Sequence, residues 1–223
     1  MLLIQRLTLS LVSAIALTCA LTVRATEQSA VDADVHHLSH EWAHIKYQIA
    51  DKSERLHRLE ALDEEAAVLV ARYPGQVGPL LWEGIITSEQ APLAGMFSRL
   101  GLATKARDLL ERAERVDAVG RDGAVAMSLG VLYYRVPGFP VGFGDMSKAQ
   151  KYLEIALAAS PDGLDSNYFY GDFLIKKGEY GKALTVLTHA LDASLDPYRP
   201  IFNAGRRAEV QALIVKARKH LNT

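Results

Sequence analysis

The stretch from His40 to His44 carries the residue types best suited to chemistry. It reads His-Glu-Trp-Ala-His, which fits the pattern H-E-x-x-H. On a helix the two histidines lie one turn apart on one face, where they can bind zinc, and the glutamate can act as base toward a zinc-bound water. Glu64 follows at a spacing suited to a third ligand. A zinc peptidase is therefore one hypothesis.

The surrounding sequence argues against catalysis by this motif. The motif lies near the start of the chain, before any pattern typical of a strand that could hold a substrate, and Tyr47 stands where the extended metzincin pattern needs glycine. His36 and His37 make the stretch histidine-rich in general, while Trp42 and Ile45 suit a packed helix face. Dinucleotide-binding, P-loop and nucleophile-elbow motifs are absent from the sequence. We therefore predict no enzyme activity, no metal site and no cofactor.

The first 25 residues have the features of an export signal. Arg6 gives a positive start, Leu7 to Val23 is uncharged and apolar, and small residues precede a cleavage site that we place after Ala25. We expect an exported protein of the periplasm or cell envelope, without stable membrane insertion after cleavage; the alternative is an uncleaved N-terminal anchor. The single cysteine, Cys19, lies in this segment, so the cleaved chain would contain no thiol.

The composition is that of a folded, nearly neutral protein. The 223 residues are 49% hydrophobic and 23% charged, and the formal net charge is -1. This balance is typical of a globular chain and provides no overall attraction to nucleic acid, which we exclude as a partner.

The elements that would position a site form a repeat. Three pairs of residues recur at one spacing of 34 residues: Ala149 and Ala183, Leu153 and Leu187, Ala156 and Ala190. A period of 34 residues with helix–turn–helix character is the mark of a tetratricopeptide repeat (TPR). In the last unit we place Gly171 and Ala183 where two antiparallel helices approach most closely, with Leu187 filling the remaining volume.

The sequence thus resembles the TPR superfamily, which implies an all-α, TPR-like solenoid of antiparallel helix pairs. We expect two helices, Val35–Ala50 and Ser53–Tyr73, before the clear units, and insertions near 91–100 and 136–145 inside two of the repeats. The predicted organisation is a signal peptide at 1–25, a linker at 26–34, a repeat domain at 35–223 with repeats at 77–117 (degenerate), 123–161 and 164–197, and a capping helix at 204–220.

One stretch suggests a narrower resemblance. Tyr133-Tyr134-x-Val-Pro, running into Gly144-Asp145-x-x-Lys148-Ala149, is similar to the T-component proteins associated with periplasmic solute (TRAP) transporters. That resemblance implies a helper that docks on a substrate-binding protein, with an apolar ligand passage.

In a TPR solenoid the first helix of each pair lines the concave face, which offers a surface for a partner. The glycine- and proline-rich insertion carries two further apolar candidates. The predicted partner-binding residues are Trp82, Tyr134, Arg135, Phe139, Phe143, Tyr168, Asp172 and Lys176.

Three hypotheses follow. The first is a non-enzymatic scaffold that binds a protein or peptide partner on the concave face. The second is a transport accessory or carrier that binds an apolar small molecule. The zinc peptidase is the third.

Overall fold

The computed structural model describes residues 27–117 and 122–222. Helices joined by turns make up these ranges: α1 (27–48), α2 (Lys52–Arg72), α3 (Val77–Gln90), α4 (Met96–Val116), α5 (Ala124–Arg135), α6 (Met146–Ala159), α7 (Leu164–Lys176), α8 (Tyr180–Ala190) and α9 (Pro200–Leu221). No strand occurs in the described ranges, where an isolated bridge joins Gly138 to Gly144. The prediction of an all-α, TPR-like solenoid is confirmed.

Local sequence explains where several helices begin and end. The Asp51 carboxylate accepts a hydrogen bond from the backbone N–H of Glu54 at 2.8 Å, as the capping pattern at the start of α2 predicts. Gly75, with φ +81°, turns the chain after α2. Asp145 caps α6 in the same way as Asp51 caps α2, and Pro200 occupies the first turn of α9, where a missing N–H costs nothing.

The three predicted repeats correspond to the hairpins α3–α4, α5–α6 and α7–α8. In each hairpin the two helices pack against each other. The close approach within each hairpin is between a glycine and a leucine. A Cβ on Gly171 would lie 2.5 Å from Leu187 Cγ, and Gly84 and Gly130 meet Leu110 and Leu153 in the same way. Leu187 fills the space beside Gly171, as predicted, because its side chain projects into the gap that the glycine leaves.

We expect Gly171→Ala to lower the free energy of unfolding by about 1–2 kcal/mol. Overpacking a buried contact destabilises a protein by about 1–3 kcal/mol. The better helix propensity of alanine offsets somewhat less than 1 kcal/mol of that loss. Gly101→Ala in α4 is the matched control, because nothing lies within 4 Å of its Cβ position. That variant should gain stability from propensity alone. Urea unfolding of both variants measures the difference, and equal effects would contradict the packing argument.

The N-terminal part of the chain differs from the expected division. The predicted signal peptide and its cleavage site after Ala25 lie outside the described residues. The linker predicted at 26–34 is helical from residue 27 onward, because Val31 and Val35 are buried and give α1 an apolar face in this part. Among the described helices, none combines the length and the apolar character needed to span a bilayer.

The first and last helices meet, so that the inner helices form a closed ring. The Trp42 ring of α1 lies 5.7 Å from the Trp82 ring of α3 and 6.2 Å from the Phe202 ring of α9. The Tyr47 hydroxyl of α1 donates a hydrogen bond of 3.0 Å to Glu209 of α9. Helix α3 packs on α5, α5 on α7 and α7 on α9. We call α1, α3, α5, α7 and α9 the inner ring; most of the concave face of the solenoid is buried inside it.

Candidate partner-binding site

A cleft opens where α5, α7 and α9 end. Its volume is about 400 Å³, and it is lined by Tyr134, Arg135, Asp172, Ile175, Lys176, Tyr180 and Lys216. Half of the eight predicted partner-binding residues are brought together here. They converge because α5 and α7 occupy equivalent places in successive repeats, so that the last turns of these helices lie side by side.

A hydrogen-bonded triad forms one wall of this cleft. The Tyr134 hydroxyl donates to Asp172 Oδ2 at 2.6 Å, and Arg135 Nη2 donates to the same oxygen at 3.1 Å. Arg135 Nε also donates to the Tyr134 hydroxyl oxygen at 3.2 Å. Three groups on two helices are therefore held in one arrangement.

The environment fixes the charge states of the triad. Burial raises the pKa of the Tyr134 phenol, so the hydroxyl stays protonated and remains a donor. Burial opposes the charge of Arg135, but Tyr134 and Asp172 outweigh this effect and raise the pKa of the guanidinium. Arg135 thus stays cationic, 3.1 Å from Asp172 Oδ2.

The remaining polar groups make the cleft cationic. Lys176 and Lys216 are exposed lining residues on α7 and α9, whereas Asp172, the one carboxylate of the lining, is already bonded to Arg135 and Tyr134. The Tyr180 ring stacks on His220 with centroids 4.4 Å apart. Two flexible ammonium groups beside a preorganised wall can bind an anionic group that enters from solvent.

The other predicted residues lie elsewhere. Trp82 is half-buried against Trp42, and Tyr168 is buried under the Arg206 guanidinium at 4.2 Å; both are part of the inner ring. Phe143 packs on the Tyr133 ring with centroids 5.9 Å apart.

Phe139 projects into solvent from the connection between α5 and α6, where it is 94% exposed. It therefore lies apart from the cleft and from the inner ring.

Sequence reasoning did not select Ile175, Tyr180 and Lys216 for the cleft. Lys216 lies on the predicted capping helix at 204–220, which the repeat pattern does not connect with α5 or α7. Ile175 stands next to Lys176 without a signal of its own, and Tyr180 lies at a repeat position that predicts packing within the helix pair and not binding. Only the contact of α9 with α7 places Lys216 in this cleft.

The H-E-x-x-H segment lies on α1, where His40 and Glu41 contact side chains of the protein itself. The His40 ring lies 4.2 Å from the His36 ring, next to Arg199, and Glu41 pairs with Arg58 of α2 at 3.8 Å. Burial, His36 and Arg199 all lower the pKa of His40, which favours the neutral imidazole. In residues 27–117 and 122–222, no group of three or more metal-ligating side chains converges.

Comparison with solved structures decides the fold. A thermophilic TPR protein of Thermus thermophilus aligns with a TM-score of 0.55 at 20% sequence identity, over 91% of this chain and 96% of the other. The fold is that of a TPR protein.

Two structures of MamA, one of them of AMB-1 MamA, are also similar to this TPR-like chain. Their TM-scores are 0.43 and 0.42, their identities 17% and 19%, and the alignments cover 78% of this chain in both cases and 95% and 99% of theirs. These lower scores add nothing to the fold assignment. No protein-family model and no curated protein matches the sequence. None of the three structures named here is a TRAP T-component, so that resemblance stays a prediction.

Proposed function

We propose that the protein is a non-enzymatic TPR-like scaffold that binds an acidic segment of a protein partner at the cleft between α5, α7 and α9. The observation that supports this most directly is the charge of the lining. Arg135, Lys176 and Lys216 face one carboxylate, Asp172, whose oxygen is already used inside the triad. A carboxylate from a partner would receive charge-assisted hydrogen bonds from the two lysines.

The proposal narrows the concave-face hypothesis. In an open solenoid the whole inner surface can receive a peptide, but here α1 meets α9 and the inner ring is filled by its own side chains. The cleft at the ends of the inner helices remains open to a partner and contains Tyr134, Arg135, Asp172 and Lys176 from the predicted set. The features of residues 1–25 support export, so we place this binding in the periplasm or cell envelope, with an N-terminally anchored form as the alternative.

An apolar ligand fits the cleft less well. Of the seven lining side chains only Ile175 lacks a polar group, and Phe139 and Phe143 do not contribute to the lining. Pockets for apolar molecules are lined mainly by hydrophobic side chains. The cleft therefore favours the scaffold over the small-molecule carrier.

Peptide binding to the full chain tests the proposal. We expect fluorescence anisotropy to show binding of an acidic peptide, and not of neutral or basic peptides of equal length, with affinity falling as salt rises. Lys176→Glu combined with Lys216→Glu should weaken binding by about tenfold or more, because two attractions become repulsions.

The matched control is Lys52→Glu combined with Lys151→Glu, which makes the same change of charge at exposed positions outside the cleft. This control should retain most of the affinity. Equal loss in the two double variants, or equal binding of all three peptides, would contradict a specific acidic-segment site.

A further inference from the structure

The start of α4 and the connection between α5 and α6, where the two insertions are predicted, meet and expose large apolar side chains. We call the following side chains the loop patch: Met96, Phe97, Leu100, Phe139 and Val141. Phe97 is 99% exposed, Phe139 94% and Met96 80%. Leu100 joins the two segments, since its Cδ1 lies 3.3 Å from the position of a Cβ on Gly142. Contiguous exposure of large apolar side chains on a folded domain marks an interaction surface.

The connection that carries Phe139 is an ordered, hydrogen-bonded loop. Gly144 N–H donates to the Pro137 carbonyl at 2.9 Å, and Val141 N–H donates to the Gly138 carbonyl at 3.1 Å. A side chain at Gly144 would collide with the Val136 carbonyl, so the close turn requires glycine there. The backbone thus satisfies its own polar groups and holds Phe139 and Val141 toward solvent.

Two exposed cations, Arg99 and Lys148, lie beside the loop patch. Farther along α4, Lys105 and Arg107 are paired with carboxylates and add no unbalanced charge to the patch. Residues 135–148 contain a single acid, Asp145, whose carboxylate accepts hydrogen bonds from two backbone N–H groups at the start of α6. Arg99 and Lys148 are exposed cations on the two segments that form the patch. The surroundings of the patch therefore complement an anionic surface.

We propose that the loop patch docks the protein on an anionic lipid surface, with its apolar side chains in the interface and Arg99 and Lys148 among the headgroups. Apolar burial combined with attraction to anionic lipid is the general basis of peripheral membrane binding. A lipid interface accepts an uneven apolar surface with protruding rings, whereas a protein partner must offer a matching shape. Pairing of two copies through this patch would bring Arg99 and Lys148 together with their counterparts, and like charges would repel.

A local probe tests the insertion directly in the full chain. In a Cys19→Ser background, an environment-sensitive fluorophore is attached at Phe139→Cys or, as control, at Val215→Cys on the exposed side of α9. Vesicles of phosphatidylcholine alone are compared with vesicles of phosphatidylcholine and phosphatidylglycerol in equal amounts. We expect the probe at position 139 to shift to shorter wavelength and to be quenched by nitroxide-labelled lipid with the anionic vesicles, while the probe at position 215 stays in water.

Vesicle flotation with the unlabelled full chain gives a second measurement. Phe97→Ser and Phe139→Ser should each lower the partition coefficient on anionic vesicles by about tenfold, the scale expected for removing one buried aromatic ring, while Val215→Ser should leave it within about twofold. If the N-terminal segment alone binds the chain to vesicles, all variants will float equally. The fluorophore at position 139 then tests insertion of the patch.

Three results would overturn the proposal. A probe at position 139 that stays in water with anionic vesicles excludes insertion. Equal insertion into neutral vesicles excludes the anionic preference. A spectral shift that depends on protein concentration without lipid would assign the patch to contact between copies of the chain. None of these results bears on the cleft, so this proposal and the peptide-binding proposal fail separately.

Discussion

Replacing Arg206 by alanine is expected to lower the free energy of unfolding by about 3–5 kcal/mol, the range for removing one partner of a buried ion pair. Arg206 is 1% exposed on α9. Its Nε lies 2.7 Å from Asp165 Oδ1 of α7, and its Nη1 lies 2.8 Å from Glu209 Oε2. Without the guanidinium, Asp165 loses its 2.7 Å cation and Glu209 keeps only the more distant Lys46, at 3.7 Å.

Packing adds to this electrostatic loss. The guanidinium lies over the rings of Tyr168 and Phe169 at 4.2 and 4.7 Å, so its removal also leaves a cavity between α7 and α9. Burial opposes the charge of Arg206, but Asp165, Tyr47 and Glu209 outweigh it and raise the pKa of the guanidinium. The cation therefore persists at every pH at which the protein is folded, and the effect should not depend on its titration.

Urea unfolding of three variants measures the Arg206 effect. Arg207→Ala is the matched control, since the neighbouring arginine is half-buried and donates a single hydrogen bond of 2.8 Å to the Leu191 carbonyl. It should lose about 1 kcal/mol. Arg206→Lys should fall between the two, because lysine keeps the charge but not the planar fork or the ring stacking. Equal losses at positions 206 and 207 would refute the assigned role.

The repeats could be predicted because their signal is local. Three residues of α6 recur 34 positions later in α8, so this periodicity alone predicts the helix pairs α5–α6 and α7–α8 and their order. Spacing shows which positions are small and which are large, whereas the close contact of Leu187 with the Cβ position of Gly171 is seen only in the structure.

The closure of the inner ring could not be predicted from the same signal. The bond between Tyr47 and Glu209 joins residues 162 positions apart, and no periodic pattern connects them. The same closure explains the candidate site. Tyr134, Arg135, Asp172 and Lys176 follow from their place in the repeat, whereas Lys216 enters the cleft through the packing of α9, which the sequence predicts only as a capping helix.

The closure itself can be tested at Gly205. A Cβ at this position would lie 2.3–2.6 Å from three atoms of the Tyr47 ring. The Tyr47 hydroxyl donates a hydrogen bond to Glu209, and the Tyr47 ring packs edge-to-face with the Trp42 ring at a centroid distance of 6.1 Å. Both contacts hold the ring in place. We therefore expect Gly205→Val to lower the free energy of unfolding by about 3 kcal/mol, the upper part of the range for overpacking. Ala208→Val, exposed on the same helix, is the control and should change stability by less than about 0.5 kcal/mol.

A double variant separates opening of the ring from a general loss of helix stability. Tyr47→Ala removes the side chain that the new valine would strike, so Tyr47→Ala with Gly205→Val should lose less stability than the sum of the single variants, as residues in direct contact do. In Gly205→Val alone, α1 must move away from α9, and the fluorescence of Trp42, which lies between Trp82 and Phe202, should shift to longer wavelength. Additive losses with unchanged tryptophan emission would mean that α1 and α9 do not close the ring in solution, and the concave face would then be available along its whole length to a partner.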